Sequence, residues 1–296
     1  MSNGLNKEIL GIKTDSEKYA VQQSKELLKA YGRNLDDVRQ QLADIALKYT
    51  VDGKLNVSSQ QRYTILKELE KQLIKQATEL GEKGIEITTK TLTDVFQESF
   101  YKTSYLIGKG VSSSINFSLL KPEFVKAAVN APIENKTFSS RIWSNTSDLA
   151  NRVKRDVEKA LIQGHSPEKL ARQIKKDFGS SAYEAKRVIV TETAKAVSAA
   201  QDEIYQSSGV VNQVMWDATL DGDTAEEDAA LDGQTWDVNE PHPTPPLHPN
   251  CRCCLIPIVP GWKPSSKREN IVDLKTGQKN IIDYSSYDKW KESRNI

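Results

Sequence analysis

Apolar residues recur every three or four positions along most of the first 110 residues, the spacing that places them on one face of an α-helix. Signals for a helix start occur at Thr14 with Glu17, at Asn34, and at Ser58 with Gln61. The pattern predicts a helical N-terminal region, residues 1–110, built of several amphipathic helices packed as a bundle. A helix face that binds a partner is the alternative interpretation of the same apolar stripes.

Turn and loop signals divide this helical region and end it. The sequence Val-Asp-Gly-Lys at 51–54 predicts a turn, and Gly81 and Gly84 predict an interruption of the helix that follows it. Residues 111–140 contain a run of three serines and two prolines, so we expect a connector there.

Helical periodicity returns after the connector. An amphipathic helix is predicted to end at Gly164, where the sequence Gly-His-Ser-Pro-Glu is a signal to stop one helix and start another. Ser166 would cap the new helix and Pro167 would occupy its first position, where a missing N–H costs nothing. We expect this helix to end near Gly179 and a longer helix to follow it as far as Gly209.

Short apolar runs replace the helical periodicity beyond residue 209. They predict three strands, at 211–216, 234–236 and 251–259. Five prolines between residues 240 and 250 exclude a helix or a central strand there.

The predicted fold class is a mostly α N-terminal helical region followed by a small α+β C-terminal domain with helices and short antiparallel strands. We place this domain at residues 141–260. Residues 261–296 are polar, and we expect a C-terminal tail that is extended and ordered in part by partners, with a turn at 275–277.

Charge is balanced over the whole chain but segregated along it. Lys and Arg number 41 and Asp and Glu number 40, a net charge of +1 that argues against a nucleic-acid coat protein or a polybasic membrane binder. Residues 201–240 contain 11 acidic residues and no Lys or Arg, whereas residues 141–200 contain 12 basic and 7 acidic residues. Such blocks indicate either pairing between segments or separate contact surfaces, and solvated faces that happen to cluster are the alternative.

Two classes of localisation are disfavoured by the sequence. No stretch approaches the ~18 consecutive apolar residues of a membrane-spanning helix, so we expect no membrane insertion. The N-terminus lacks the apolar core of a signal peptide, so we expect no export by that route. The three cysteines lie within four residues of one another, which suits a reducing compartment or a metal site better than a disulfide framework.

The densest chemistry lies in His-Pro-Asn-Cys-Arg-Cys at 248–253. His248, Cys251 and Cys253 are three potential zinc ligands, and upstream acidic residues such as Asp228 could complete a tetrahedral set. The alternative is a histidine that satisfies backbone groups and thiols that pack as small apolar side chains. We expect no cofactor and keep zinc at these four residues as the weaker hypothesis.

An enzyme is the other interpretation of the acidic residues near His242 and His248. Metal-dependent phosphoryl chemistry requires carboxylates that converge on a cation, and a Cys–His nucleophile pair requires a group that orients it. The sequence contains no phosphate-binding glycine loop, no Gly-x-Ser-x-Gly motif and no His-Glu-x-x-His motif. We therefore predict no catalytic residue, with a metal-dependent nuclease or transferase as the alternative.

Several landmarks follow one another between about residues 145 and 258. They are Gly-His-Ser-Pro-Glu with its helix, Thr191-Glu192 on a long helix, a strand that ends at Trp216, Asp221, the turn Leu231-Asp232-Gly233, Pro245-Pro246, and His248-Pro-Asn-Cys251-Arg252-Cys253. This succession resembles the phage head morphogenesis domain of the Mu F-like minor head proteins of tailed bacteriophages. The N-terminal helices carry no such resemblance by themselves.

The resemblance implies a minor capsid protein that associates with the portal vertex and acts in procapsid assembly and in DNA packaging or ejection. The implied partners are the portal protein, the major capsid or scaffolding protein, and packaged double-stranded DNA. The implied location is the capsid interior at the portal vertex, with the host cytoplasm during assembly. A sequence-nonspecific nucleic-acid-binding protein is the alternative function.

The chain departs from the family at one point. Many members have a Cys-x-x-Cys pair just before the Leu-Asp-Gly turn, where this chain has Ala225 and Asp228. The substitution removes two thiols that a zinc site would use, which weakens the zinc hypothesis. Some relatives carry ADP-ribosyltransferase or toxin domains on the same module, and we expect no such domain in these 296 residues.

Arg252 is the only basic residue between Lys195 and Lys263, among many carboxylates. We hypothesise that its guanidinium pairs with Asp221 or Asp232 and fixes the strands. Thr191 and Glu192 are expected to face the strands, and the Leu231-Asp232-Gly233 turn is expected near residues 248–253.

The segregated charge predicts two contact surfaces. We expect the acidic block 201–240 to face protein, because it would repel phosphate. The basic helices would face packaged DNA or an acidic portal surface, through Arg152, Lys154, Arg155, Lys159, Arg172, Lys175 and Lys176. The alternative is that these side chains are solvated or pair with the acidic block within the chain.

Overall fold

The computed structural model describes residues 4–110, 120–260, 264–272 and 279–294. Its helices are α1 (Leu5–Tyr49), α2 (Ser59–Gly110), α3 (Pro122–Asn130), α4 (Phe138–Gln163), α5 (Pro167–Ser207), α6 (Glu226–Leu231) and α7 (Tyr287–Arg294). Its strands are β1 (Thr50–Val51), β2 (Lys54–Leu55), β3 (Gln213–Asp217), β4 (Thr235–Asp237), β5 (Cys254–Ile258), β6 (Ser266–Val272) and β7 (Lys279–Asp283). The predicted fold class is confirmed: long helices come first, and short antiparallel strands follow in the C-terminal part. None of the described helices combines the length and the apolar character that crossing a membrane requires.

The N-terminal region contains two continuous helices where the sequence predicted more. Thr14 and Asn34 are interior residues of α1, and the Thr14 hydroxyl donates to the Leu10 carbonyl at 3.0 Å instead of capping a helix start. The predicted starts at these positions are wrong because the buried stripe of α1 runs on without a break, from Ile9 to Ile45. Burial along one continuous face outweighs the local preference of these residues for a helix end.

The predicted interruption of α2 at Gly81 and Gly84 is wrong for a related reason. Both glycines lie inside α2 and serve packing. A Cβ at Gly81 would overlap the ring of Trp143, and a Cβ at Gly84 would lie 3.1 Å from the side chain of Ile142. The missing side chains allow α4 to approach α2 closely, which compensates for the cost of about 1 kcal/mol that glycine imposes on a helix.

The turn and the cap between the two long helices are confirmed. β1 and β2 pair antiparallel, and Asp52 and Gly53 form the turn with φ of 48° and 72°. Positive φ at both turn residues suits the right-handed twist of a hairpin. Ser58 and Gln61 then exchange hydrogen bonds in a capping box, with Ser58 N donating to Gln61 Oε1 at 2.8 Å.

The predicted connector at 111–140 contains more helix than expected. α3 begins at Pro122, and α4 begins at Phe138 with the Thr137 side chain accepting from Ser140 N at 3.2 Å. The serine run of the connector lies outside the described residues.

The end of α4 and the start of α5 are confirmed. Gly164 ends α4 in the left-handed conformation with φ of 62°, and Ser166 accepts from Lys169 N at 3.3 Å at the start of α5. The predicted break near Gly179 is wrong, because the buried stripe continues through Leu170, Ile174, Phe178, Ser181, Ala185 and Ile189.

The three strands predicted after residue 209 form one antiparallel sheet in the order β4-β3-β5. Val214 pairs with Trp236 of β4 and with Pro257 of β5. The central strand β3 is buried along most of its length, and the Trp216 side chain is fully buried. The proline-rich segment 240–250 contains no helix or strand, as predicted.

The described part of residues 261–296 differs from the extended tail that the sequence predicted. β6 and β7 pair antiparallel, and α7 follows them. Tyr287 and Trp290 of α7 pack with Leu220 in a buried apolar cluster. The tail expectation is therefore corrected for these residues, because apolar and charged side chains in them find buried partners. The predicted turn at 275–277 lies outside the described residues.

The chain divides into two compact units. We call Met1–Ala20, Thr89–Asn135 and Val190–Ile296 the ribbon unit, because it holds the three-stranded sheet. We call Val21–Thr88 and Lys136–Ile189 the helical unit.

Candidate functional site

The pairing of β3 with β5 brings the acidic loop and the cysteine-containing loop together. Asp217 at the end of β3 lies opposite Cys254 at the start of β5. The residues that follow β3 and those that precede β5 therefore lie at the same end of the sheet. This places the acidic segment 218–228 beside residues 248–253, within the ribbon unit.

Arg252 pairs with the first of the two carboxylates considered from the sequence. Its Nη2 lies 2.9 Å from Asp221 Oδ2. The other oxygen of Asp221 accepts from the Thr224 hydroxyl at 2.8 Å and from Asp223 N at 3.1 Å. Because the Asp221 carboxylate is occupied by a guanidinium and a turn, it resembles a structural anchor more than a ligand for a hard cation.

Asp232 anchors a different part of the ribbon unit. Its carboxylate accepts from Ala218 N and from Tyr287 N, both at 2.9 Å, and it pairs with the Lys267 ammonium group. Gly233 follows with φ of 79° and donates its N–H to Trp216 O at 2.9 Å. The turn thus contacts β3, the residue after it and the C-terminal segment. The sequence analysis expected the turn to lie near residues 248–253.

Lys267 and Arg268 are the partners that sequence reasoning missed. Both side chains are buried, and Lys267 also lies 3.7 Å from Asp217. Burial raises the pKa of Asp217 to about 6 even though Lys267 lowers it. Arg268 donates to Glu17 of α1 at 2.8 Å and to the Arg252 carbonyl at 2.7 Å. The only available signal was the acidic block itself, which contains no base of its own.

The acidic block is thus neutralised in part within the chain, by residues of the C-terminal segment and by Arg252. Asp217 and Asp232 pair with Lys267, and Asp221 pairs with Arg252.

Thr191 and Glu192 lie on the buried face of α5. Thr191 Oγ1 accepts from Asn250 N at 3.1 Å, so this threonine faces the loop that carries the cysteines. Glu192 is fully buried and pairs with Lys195 at 2.6 Å.

The four zinc candidates from the sequence lie together. The donor atoms of Asp228, Cys251 and Cys253 all lie within 4.8 Å of one another, and all three residues are buried. The Cys251 thiol donates to Asp228 Oδ1 at 3.6 Å, and His248 Nε2 lies 3.0 Å from Asp228 Oδ2. A hydrogen bond with Cys253 lowers the pKa of the Cys251 thiol to about 7 and raises that of Cys253. Asp228 is therefore the residue that links the histidine to the thiols.

The same contacts argue against a Cys–His nucleophile pair. His248 Nδ1 faces the Pro249 carbonyl at 3.0 Å and Nε2 faces Asp228, so both ring nitrogens are hydrogen-bond donors to oxygen. Burial opposes the charged ring, but these hydrogen bonds outweigh it and raise the pKa of His248. Because oxygen atoms occupy both ring nitrogens, His248 has no free nitrogen to accept a proton from Cys251, a residue that is only 3% exposed.

His242 lies apart from these groups. Its Nδ1 donates to the Glu240 carbonyl at 2.7 Å, and its Nε2 lies 3.4 Å from Asp202 of α5. The two histidines considered together in the sequence therefore belong to different clusters.

Of the basic candidates in α4 and α5, some are exposed to solvent and others are paired or partly buried. Lys154 pairs with Glu70 at 2.5 Å, and Arg152 is half-buried with its Nε and Nη2 inside the helical unit. The exposed candidates are Arg155, Lys159, Arg172, Lys175 and Lys176. The structure thus leaves five of the seven predicted side chains open to solvent.

These five side chains come from α4 and α5, which form a helical hairpin. Ser181 of α5 donates to Asn145 of α4 at 3.0 Å, and Asp177 of α5 is hydrogen-bonded to Asp156 of α4. These pairs and the short Gly164–Ser166 turn make α4 and α5 antiparallel neighbours. Arg155 of α4 therefore lies at the level of Lys175 and Lys176 of α5.

Comparison with known proteins identifies relatives of two kinds. The chain is similar to the NAD(+)–arginine ADP-ribosyltransferase EFV of Enterococcus faecalis, at 25% identity over 214 residues that cover 67% of this chain and 43% of the transferase. It is also similar to minor head protein GP7 of Bacillus phage SPP1, at 24% identity over 290 residues. That alignment covers 92% of this chain and 93% of the minor head protein.

A third relative is an uncharacterised protein of Haemophilus influenzae, at 28% identity over 148 residues that cover 49% of this chain and 33% of the relative. The chain thus spans less than half the length of the transferase and of the Haemophilus protein. No solved structure matches the chain significantly. The sequence model of the family described as Phage Mu protein F like protein matches residues 151–256, which include α5, β3, β4, the cysteine-containing loop and the start of β5. Residues 151–256 are therefore similar to the Phage Mu protein F like family, and the likeness to a phage minor head protein extends over most of the chain.

Proposed function

We infer that this chain is a minor head protein that sits inside the capsid of a tailed phage, at the portal vertex, and acts in procapsid assembly and in DNA packaging or ejection. The observation that carries the proposal is the alignment with a phage minor head protein over 92% of this chain, far beyond residues 151–256. The N-terminal helices are thus included in the likeness, although the sequence analysis found no resemblance in them. The proposed partners are the portal protein and, during assembly, the major capsid or scaffolding protein.

Co-assembly tests the portal contact. The full chain is produced together with the portal protein of the same phage, and portal rings are isolated by their size. The proposal expects the chain to travel with the rings and to be present in mature particles. A chain that is found only as free protein, in both the portal preparation and the particles, contradicts the proposal.

The exposed basic hairpin supports contact with packaged DNA as part of this function. Arg155, Lys159, Arg172, Lys175 and Lys176 all project into solvent from α4 and α5. Lysine and arginine bind phosphates without regard to base sequence, and several weak contacts add up when they lie on one surface. Such contacts are screened over a Debye length of about 8 Å at physiological salt.

Charge reversal of the five exposed residues to Glu tests the DNA contact. A matched control reverses five exposed lysines elsewhere in the helical unit, namely Lys25, Lys29, Lys67, Lys71 and Lys75. We expect the hairpin variant to lose DNA affinity and most of the salt dependence of binding, while the control variant retains both. Portal binding that survives in the hairpin variant would separate the DNA surface from the portal surface. Equal DNA affinity of the two variants would show that the hairpin is ordinary solvated surface.

We propose a structural role without catalysis for this chain. The contacts of the acidic loop support this, since Asp221 is bound by Arg252 and Asp228 lies between His248 and Cys251. One relative is named as an ADP-ribosyltransferase, so transfer of ADP-ribose from NAD to arginine is one activity to assay. DNA nicking is the other, because a metal-dependent nuclease was the alternative interpretation of the sequence. We expect neither above the background of an Asp228→Asn variant, and turnover by the native chain alone would overturn the proposal.

A further inference from the structure

The ribbon unit contains a buried set of metal-binding donors that its role as a head protein does not use. Among the described residues, a group of three or more such donors lies within ligand distance at one place, formed by Asp228, Cys251 and Cys253. We propose that these three residues hold a zinc-class divalent cation, with His248 as the fourth ligand. The site would tie α6 to the loop before β5, two elements that the antiparallel sheet brings to one edge.

The distances between the donors suit a tetrahedral site. Zinc binds sulfur at about 2.3 Å and carboxylate oxygen at about 2.0 Å, which puts neighbouring sulfur and oxygen ligands about 3.5 Å apart. Cys251 Sγ and Asp228 Oδ1 are 3.6 Å apart. The corresponding distance between a nitrogen and an oxygen ligand is about 3.3 Å, and His248 Nε2 lies 3.0 Å from Asp228 Oδ2. The two distances end on different oxygens of Asp228, so the carboxylate would have to turn one oxygen toward the ion and the His248 ring would have to move to the same side.

A small cavity lies at these residues. Its volume is about 20 Å³, and its walls include Thr219, Asp228, His248, Cys251 and Cys253. A volume of this size holds about one water molecule, and a zinc ion without its water shell is smaller. The His248 side chain is 28% exposed, so the cavity has a route to solvent past the imidazole.

Lys13 provides the second and independent observation. This lysine comes from α1, is 1% exposed, and donates from its ammonium group to the carbonyl of Cys253. A buried ammonium is costly unless an anion lies near it, and the carbonyl is neutral. Thiolates at Cys251 and Cys253 would supply the missing anion, since Lys13 bonds to the backbone of one of them and their donor atoms lie together. Two thiolates, one carboxylate and a neutral imidazole around Zn²⁺ carry a net charge of about −1, which a single ammonium neutralises.

The donor chemistry selects the class of metal. Thiolate and imidazole ligands favour zinc over magnesium or calcium, which prefer oxygen. Asp228 supplies a carboxylate oxygen, which zinc also accepts as a ligand. Ala225 offers no donor, so His248 completes the set from the other loop. Binding requires each ligand atom to be deprotonated, so the thiol protons would pass to solvent.

The full chain, stripped with a chelator and titrated with Zn²⁺ and then with Co²⁺, tests the proposal. We expect one metal ion per chain by elemental analysis, and a Co²⁺ complex with the absorption bands of tetrahedral thiolate coordination. Cys251→Ser with Cys253→Ser should abolish both. Cys254→Ser is the matched control, because Cys254 is equally buried, follows Cys253 directly, and bonds to Asp217 instead.

Two further variants keep the test decisive if the double cysteine variant fails to fold. Asp228→Asn should weaken Zn²⁺ binding by at least about tenfold. Lys13→Gln leaves all four ligands in place and should also weaken it, because the site loses its buried counter-charge. Far-UV circular dichroism of the metal-free proteins confirms that each variant is folded. Absence of stoichiometric metal in the native chain, or loss of binding in Cys254→Ser equal to that in the cysteine pair, overturns the proposal.

Discussion

The two compact units bury charge to very different extents. In the ribbon unit, at least nine charged side chains are buried, among them Lys13, Asp217, Lys267 and Arg268. In the helical unit, which the structure describes in full, Asp177 is the one buried charged residue. The ribbon unit therefore depends on matched buried ion pairs, whereas the helical unit depends on apolar stripes and close helix packing.

This difference follows from how the two units are built. Long amphipathic helices bury apolar stripes and leave charged side chains on the opposite face, as the helical unit does. The ribbon unit combines helical segments with a three-stranded sheet, the β6–β7 pair and the loops that join them. Several carboxylates of its acidic loop are buried away from water, and lysine and arginine side chains from distant segments neutralise them. A buried pair gives little net stability, but removal of one partner leaves an uncompensated charge.

Removal of Lys267 should have the largest effect. Lys267→Met leaves Asp217 and Asp232 buried without their shared ammonium, and we expect a loss of about 3–5 kcal/mol in the free energy of unfolding. Lys154→Met in the helical unit is the matched control, since Lys154 and Glu70 are both more than a third exposed. That variant should lose less than about 1 kcal/mol. Urea unfolding followed by tryptophan fluorescence measures both.

A double variant separates lost charge from lost packing. Adding Asp217→Asn to Lys267→Met removes one of the two stranded carboxylates, so we expect part of the stability to return. Equal losses of unfolding free energy in Lys267→Met and Lys154→Met would contradict the comparison between the units. They would mean that breaking the buried ion pair costs no more than breaking the exposed one.

Local signals in the sequence were sufficient for much of the fold. The helix stop at Gly164 with its restart at Pro167, and the capping box of Ser58 with Gln61, each depend on a few adjacent residues. The three strands of the sheet also follow from local alternation, and so does the proximity of the ligands within residues 248–253. These features could be predicted because the physical cause lies within one short segment.

Long-range partners could not be predicted. The contact from Lys13 to the Cys253 backbone joins residues 240 positions apart, and that from Arg268 to Glu17 joins residues 251 apart. Neither segment carries a pattern that names the other. The continuous course of α2 through Gly81 was missed for the same reason, because the ring that packs there belongs to Trp143.

Gly81 tests whether close packing holds the helical unit together. Gly81→Ala places a methyl group into the Trp143 ring, and we expect a loss of about 1–3 kcal/mol. Gly179→Ala is the control in another helix interior of the same unit, with nothing within 4 Å of the added Cβ. That variant should gain about 0.5–1 kcal/mol, as alanine favours helix. If Trp143→Ala restores stability to the Gly81→Ala protein, the ring is the cause, and a stabilised Gly81→Ala protein would refute the packing argument.

Asp177 is the exception in the helical unit, and its pH dependence should give the smallest effect. Burial, together with a hydrogen bond to Asp156, raises the pKa of Asp177 from 3.8 to about 6. Because the folded state holds this proton more tightly than the unfolded chain, stability should fall as pH rises from about 4 to 6 and then level off. Asp177→Asn removes the proton and its charge, so we expect it to match the native chain near pH 4 and to exceed its stability by about 1 kcal/mol at pH 7. Asp217 titrates in the same range in both proteins, so its contribution cancels in the difference. Thermal unfolding at the two pH values measures that difference. A constant difference between pH 4 and pH 7 would mean that Asp177 is charged throughout, and the helical unit would then bury an ion as the ribbon unit does.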